Sequence, residues 1–278
     1  MSLLRDHDPT LEVELVVVDT VADRRLDIPI WEMGGKGVFV KEVQAAVLDG
    51  RADVAVHSAK DLPSITHDDL ILAAVPARGD ARDALVGSTL ADLPPGARVG
   101  TGSVRRRAQL ANLRPDLTFT GLRGNMHTRV AKAKDLDAVV VAAVALERLA
   151  LDDQIAEVLS ITTLLPQAAQ GALAVECRQA DRATIEQLGT IEDPSSRRRV
   201  DAERAYLAEL GGDCELPAGA HAVEALDSGL VLDALLASLD GHIVLRHAVA
   251  GHDPTALGIA AARHLLDSAG GRDILDMR

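Results

Sequence analysis

Residues 98–113 read RVGTGSVRRRAQLANL, a short run that enters a Thr-Gly-Ser turn and leaves it as a helix. A strand handed over to a helix within three residues is the repeating step of an α/β fold, in which helices cover the faces of largely buried sheets. The expected strand is Arg98–Gly100 and the expected helix Val104–Leu113. The same alternation recurs on either side. Apolar, strand-like runs fall at 15–18, 54–56, 70–75, 117–120 and 138–141, with helices expected at 37–48 and 144–149. In the first of these helices Val40, Val43, Ala46 and Val47 return at helical spacing.

Two polar, turn-rich stretches interrupt the alternation, PARGDARD at 76–83 and LLPQAAQG at 164–171, and each reads as a crossing between domains. After Asp193 the sequence DPSSRRR leads to a helix expected at 200–210, with Asp201 and Glu203 in its first turn, where the helix dipole favours acids. Apolar runs at 230–236 and 243–249 and a helix at 256–266 then suit a small sheet with helices on one side, an α+β unit. A chain of 278 residues is long for a single core, since domains cluster near about 100–150 residues, so three units are in keeping with its length.

Composition excludes several function classes. With 47% hydrophobic and 26% charged residues the chain has ample material for packed cores, which argues against disorder. No apolar run approaches the roughly 18 residues of a membrane span, and the opening MSLLRDHDPTLEVE carries charges where a signal peptide needs its apolar stretch. The expectation is a cytoplasmic protein. A formal net charge of −13, with one Trp, one Tyr and two Phe, argues against nucleic acid and anionic membrane as partners. An anionic ligand must therefore meet a local basic cluster. Cys177 and Cys214 are too few for a disulfide scaffold and lack metal-ligand spacing, so no metal is expected.

Three places combine a strand end, a tight turn and charge. The first is HSAKDLP at 57–63, where Lys60 and Asp61 follow a buried run, at the kind of strand end where α/β sheets gather ligands. Their position also admits a plainer reading, with Asp61 capping a turn and Lys60 solvated. The second is VGTGSVRRR at 99–107 together with Arg123 and Arg129, where amide donors and guanidinium forks suit carboxylates. No Walker lysine or Gly-x-Gly-x-x-Gly run points to a nucleotide. Successive helical residues point about 100° apart, so at most two of Arg105, Arg106 and Arg107 face one ligand, and Arg107 is the one expected in solvent. A solvated, salt-bridged face remains the other reading. The third is GGDCELPAG at 211–219. Cys214 lies among glycine, Asp213 and Glu215, the setting of an exposed attachment point, whereas Cys177 in LAVECR reads as inert core.

Seven stretches occur in one order: GGKGVFVKE, RADVAVHSAKDLPS, RDALVG, VGTGSVRRRAQL, LRGNMHTR, PQAAQGALAVECR and GGDCELPAGAHA. In that order they resemble the porphobilinogen deaminase (hydroxymethylbilane synthase) family from about Val13 onward. The resemblance implies two α/β lobes like those of type II periplasmic binding proteins, plus a small α+β C-terminal domain. The first lobe would comprise 1–76 and 171–192, the second 80–168, and the cofactor-bearing domain 195–278. It implies a transferase of heme and tetrapyrrole biosynthesis. A dipyrromethane primer would be held on Cys214 by a thioether, and four porphobilinogens would be joined head to tail with loss of ammonia before hydroxymethylbilane is released. Asp61 and Lys60 would be catalytic, Asp61 stabilising positive charge on pyrrole nitrogens and Lys60 balancing it or holding an acid group. Cys214, Lys60, Asp61, Thr101, Ser103, Arg105, Arg106 and Gly124 would hold the cofactor, and Arg123, Arg129, Arg148 and Gln170 the substrate. Lys36 and Lys41 are lesser candidates. The family is usually monomeric.

The family's opening strand and helix, with an Arg-x-Ser-x-Leu-Ala type signature, find no counterpart here, so the expectation is a chain lacking that segment. Gly102, His127, Ala145, Glu147 and a short turn at 134–136 also depart from the family pattern. Two alternatives follow: a catalytically impaired paralogue, or a non-catalytic anion-binding protein on the same scaffold.

Overall fold

The computed structural model describes residues 1–19, 40–63, 66–212 and 215–276. Their elements, in chain order, are α1 (Ser2–His7), α2 (Lys41–Leu48), β1 (Val54–Ser58), β2 (Leu70–Ala74), β3 (Asp83–Val86), β4 (Arg98–Gly100), α3 (Val104–Leu113), β5 (Thr118–Thr120), α4 (Met126–Ala131), β6 (Ala138–Ala142), α5 (Ala143–Glu147), β7 (Ile155–Val158), β8 (Leu173–Arg178), α6 (Arg182–Gly189), α7 (Pro194–Glu209), β9 (Ala218–Glu224), β10 (Leu230–Ala237), β11 (Val244–Gly251), α8 (Pro254–Arg263) and α9 (Gly271–Asp276).

They form three sheets, ordered β1-β8-β2, β5-β4-β6-β3-β7 and β11-β10-β9. Burial explains who sits where. In the first sheet β8 buries Ala174 through Cys177 in succession and lies in the middle, whereas its neighbours β1 and β2 each expose a residue. A strand covered on both faces reads as a continuous apolar run. In the second sheet β6 and β3 are buried at every position and occupy the interior. The third sheet is an antiparallel meander with α7 and α8 on one face, burying Ala202, Tyr206, Leu232, Leu236, Leu257 and Leu265 in one core. At their crossing Gly258 is required, because a Cβ there would stand 2.3 Å from the Ala202 carbonyl oxygen. Two α/β lobes and a small α+β domain are thus the architecture.

The two crossings touch. Gly79 N–H donates to the Gly171 carbonyl at 3.2 Å, and Gly171, at φ +90, is packed so closely that a Cβ would lie 2.6 Å from the Gly79 carbonyl oxygen. Arg78 fastens both crossings to the third domain. Its backbone N–H donates to Ser196 Oγ at 2.9 Å, its Nε to the Gln170 carbonyl at 2.8 Å, and its two terminal nitrogens to Glu203 at 2.6 and 3.0 Å. Glu203 also accepts from the backbone of Ala169 at 2.6 Å and of Ala222 at 2.8 Å.

Two expectations are corrected. Residues 15–18 are not a strand: Leu15 and Val17 are 74% and 81% exposed, and among the described residues no strand takes up their ladder. An apolar run without a partner has nowhere to place its amides. The helix expected at 200–210 begins at Pro194, because Asp193 caps it by accepting from Ser196 N–H at 2.7 Å and proline suits a first helical position. Asp201 and Glu203 therefore lie in mid-helix, and Glu203 is a buried ion-pair partner. Strands β3 and β7 were not anticipated, being short and, in β3, opened by an acid. The start of the helix expected at 37–48 lies outside the described residues, as does Lys36; its described part, α2 with Val40 as N-cap, buries Val40, Ala46 and Val47 and half-buries Val43.

Candidate functional site

β1 ends at Ser58 and turns at once through a single 3-10 turn, Ala59–Asp61, pinned by the Ala59 N–H donating to the Ala172 carbonyl at 3.0 Å. The turn leaves Lys60 and Asp61 half-buried at the strand end. Lys60 Nζ donates to Gln170 Oε1 at 3.2 Å, and its carbonyl accepts from Gln167 at 3.2 Å. Burial draws the Lys60 ammonium down to about 8 against the opposing pull of Asp61. Burial also raises Asp61 above the usual carboxylate range, opposed chiefly by the positive charges of Lys60, Arg129 and Arg106.

The second lobe supplies cations and donors. β4 runs into Thr101, whose N–H donates to the Thr120 carbonyl at 2.9 Å and whose Oγ1 accepts from Ser103 N–H at 3.2 Å. Ser103 caps α3 by accepting from Arg106 N–H at 3.4 Å. The helix then turns Arg105 and Arg106 inward, 2% and 7% exposed, and leaves Arg107 outside, as the helical angle demands.

What Arg105 and Arg106 meet inside is Asp83, which in the sequence stands as the last residue of a polar, turn-rich stretch. Arg106 donates to Asp83 Oδ1 from Nε at 2.9 Å and from Nη2 at 2.7 Å, and Gln170 Nε2 donates to the same oxygen at 2.8 Å. Arg105 Nη2 lies 2.8 Å from Oδ2 without hydrogen-bond alignment, while its Nη1 donates to the Leu165 carbonyl at 2.7 Å. Burial disfavours the Asp83 anion, but the two guanidinium groups outweigh it and hold Asp83 down to about 2. One signal could have found it: a carboxylate opening a strand buried at all four positions requires a cation.

Gln170 is the hub. Its side chain accepts from Lys60 at 3.2 Å and from Arg106 Nη2 at 3.4 Å while donating to Asp83 and to the Ala81 carbonyl at 2.7 Å. Arg129 Nε donates to the carbonyl of Gly124 at 2.8 Å, and Gly124 takes the positive φ of +100 that this turn needs. Burial lowers Arg129, and the like charges of Arg106 and Arg123 add to the effect. Arg123 is half-buried. Arg148 is exposed at the crossing, donating to the Gly171 carbonyl at 2.9 Å. The structure thus gathers Arg105, Arg106 and Gln170 on Asp83, with Lys60 reaching Gln170 and Asp61 lying in the field of Lys60, Arg106 and Arg129; Arg148 stands at the crossing. Cys214 lies outside the described residues, between Gly212 and Glu215. Cys177 is a free, fully buried thiol. Such a cluster can bind a compact polyanion and keep one carboxylate close to a cationic reacting group.

The family model described as porphobilinogen deaminase, dipyromethane cofactor binding domain, matches residues 1–186, ahead of the point near Val13 where the motif resemblance starts. The model described as porphobilinogen deaminase, C-terminal domain, matches residues 197–267. The porphobilinogen deaminase of Roseiflexus castenholzii is 47% identical over 279 residues, covering 98% of this chain and 91% of its own. That of Syntrophotalea carbinolica is 44% identical over 93% of this chain and 84% of its own, and that of Brevibacillus brevis 40% identical over 98% and 89%. Among solved structures, a Salmonella typhimurium periplasmic binding protein of high arginine specificity aligns at 15% identity and a TM-score of 0.33, over 57% of this chain and 72% of that one.

Proposed function

This chain belongs to the porphobilinogen deaminase family, and on that premise we propose that it joins four porphobilinogens head to tail, with loss of ammonia at each step, to give hydroxymethylbilane. The observation that carries the reading is Asp61, a half-buried carboxylate held at a strand end among cations from both lobes. Loss of ammonia from the aminomethyl arm leaves positive charge on a pyrrole nitrogen, and each coupling generates it again. An ionised Asp61 accepting from the pyrrole N–H stabilises that charge and can take part in proton transfer. Lys60 balances Asp61 or holds a substrate acid group.

The cluster suits dipyrromethane, because a strip of pyrrole N–H groups edged with acids needs one acceptor amid many cationic donors. When bound, dipyrromethane supplies the free α-carbon to which the first incoming pyrrole is joined. We assign its attachment to Cys214 and its contacts to Lys60, Asp61, Thr101, Ser103, Arg105, Arg106 and Gly124. Arg123, Arg129, Arg148 and Gln170 hold incoming substrate. Because Arg105 and Arg106 already share Asp83, they serve an acid group only with their remaining N–H donors, and Lys60, Arg123, Arg129 and Arg148 carry more of its neutralisation. On the same reading the lobes are 1–76 with 171–192 and 80–168, the cofactor domain is 195–278, and the protein works as a cytoplasmic monomer without nucleic-acid or membrane partners. Among the described residues no helix is long and apolar enough to cross a membrane.

The test is Asp61→Asn. Turnover of porphobilinogen is expected to fall by roughly 10²–10⁴, with the intact mass still showing two pyrrole units on the protein and Cys214→Ala showing none. Turnover near the wild-type rate in Asp61→Asn would falsify the role of that carboxylate, and an adduct surviving in Cys214→Ala would refute the attachment.

A further inference from the structure

Among the described residues the cleft has fewer separate cations than the acid groups the proposed reaction accumulates, since each ring brings an acetate and a propionate while Arg105 and Arg106 are partly consumed by Asp83. A cavity of about 330 Å³ opens at the seam of the second lobe and the third domain. Small-molecule sites span roughly 300–1,000 Å³. Thr101 and Ser103, assigned above to the cofactor, line it; Phe119 and Leu239 give it an apolar wall, and Glu215, next in sequence to Cys214, is also part of the lining.

Arg107 also lines this cavity. It is exposed, and among the described residues it makes no side-chain hydrogen bond or ion pair. In a chain of net charge −13, with 42 acidic residues against 29 Lys and Arg, a guanidinium that forms no ion pair and stands beside an apolar wall is complementary in chemistry to an anion that also carries a flat ring. Glu215 on the same lining opposes a second anion there and so limits the cavity to one acid arm.

We propose that this cavity is a subsite for a ring of the lengthening, enzyme-bound pyrrole oligomer, with the ring against Phe119 and Leu239 and one carboxylate on Arg107. The inference rests on the function proposed above and assigns it a place to store rings that have moved away from Asp61. Early additions do not need the subsite, and later ones do.

The test is intact-mass spectrometry of full-length holoprotein quenched during turnover of porphobilinogen, which separates forms carrying successive rings. In Arg107→Gln the two-pyrrole cofactor and the first added ring are expected at wild-type levels, with forms bearing three or four added rings reduced about tenfold, the size of one lost charge-assisted pair. Arg107→Lys restores most of them, and Glu215→Gln raises them. Hydrogen exchange of the stalled wild-type complex is expected to slow in 101–107. Identical ladders in wild type and Arg107→Gln overturn the subsite, as does a uniform loss at every rung or an unchanged exchange rate. A wild type that shows no ladder overturns the parent function, an outcome separate from any difference between the variants.

Discussion

Asp83 and Glu203 are both fully buried carboxylates paired with arginine, yet they are finished differently. Glu203 faces one arginine, and each of its oxygens takes one guanidinium N–H and one backbone N–H. Asp83 faces two arginines, and its bonds converge on Oδ1 while Oδ2 keeps an ion-pair contact without an aligned hydrogen bond. The first cluster is balanced and closed. The second carries surplus positive charge and passes through Gln170 to Lys60. A saturated buried pair holds architecture together, whereas an unsaturated one with excess charge is arranged for a ligand. Gln170 joins the two, its carbonyl accepting from Arg78 and its side chain bonding Asp83.

The contrast can be broken from either side. Removing Arg78 (Arg78→Leu) strands Glu203 among three units of the fold and is expected to cost about 3–5 kcal/mol in denaturant unfolding; a loss under 1 kcal/mol would show that the clasp is not structural. Asp83→Asn is expected to cost less, on the order of 2 kcal/mol, and to raise KM for porphobilinogen more than it lowers kcat, because two arginines lose their shared anchor.

The acid limb of stability sharpens the same point. The folded Asp83 is depressed from 3.8 to about 2, so its stabilisation is complete above the unfolded value and vanishes as pH falls from about 4 through about 2. Wild type should lose on the order of 2 kcal/mol across that window, and Asp83→Asn should show a flatter curve; parallel curves would contradict the pairing. Asp61 has the opposite sign. Its raised value means that its charge opposes folding at neutral pH, so Asp61→Asn should raise Tm slightly while removing rate. Smallest of all, Asp80→Ala, which breaks the exposed pair with Arg82, should change stability by less than about 1 kcal/mol in unfolding measurements.

Much of the molecule was legible along the chain, wherever the deciding interaction was local. The strand at 98–100 and the helix at 104–113 have the expected bounds, because a serine cap and a helical period act within a few residues. The outward turn of Arg107, the strand-end placement of Lys60 and Asp61, and the buried Cys177 are legible for the same reason.

What the chain alone left undecided lies across space. Asp83 meets Arg106 over 23 residues, Arg78 meets Glu203 over 125, and Gln170 gathers Lys60 from 110 residues away. The run at 15–18 has strand character but no partner among the described residues, while the polar-edged β3 becomes a strand because β6 and β7 flank it. Periodicity, caps and turns act on neighbours and can be read from spacing; the partner of a buried charge or a strand is set by the packing of remote segments, and the tertiary structure decides it.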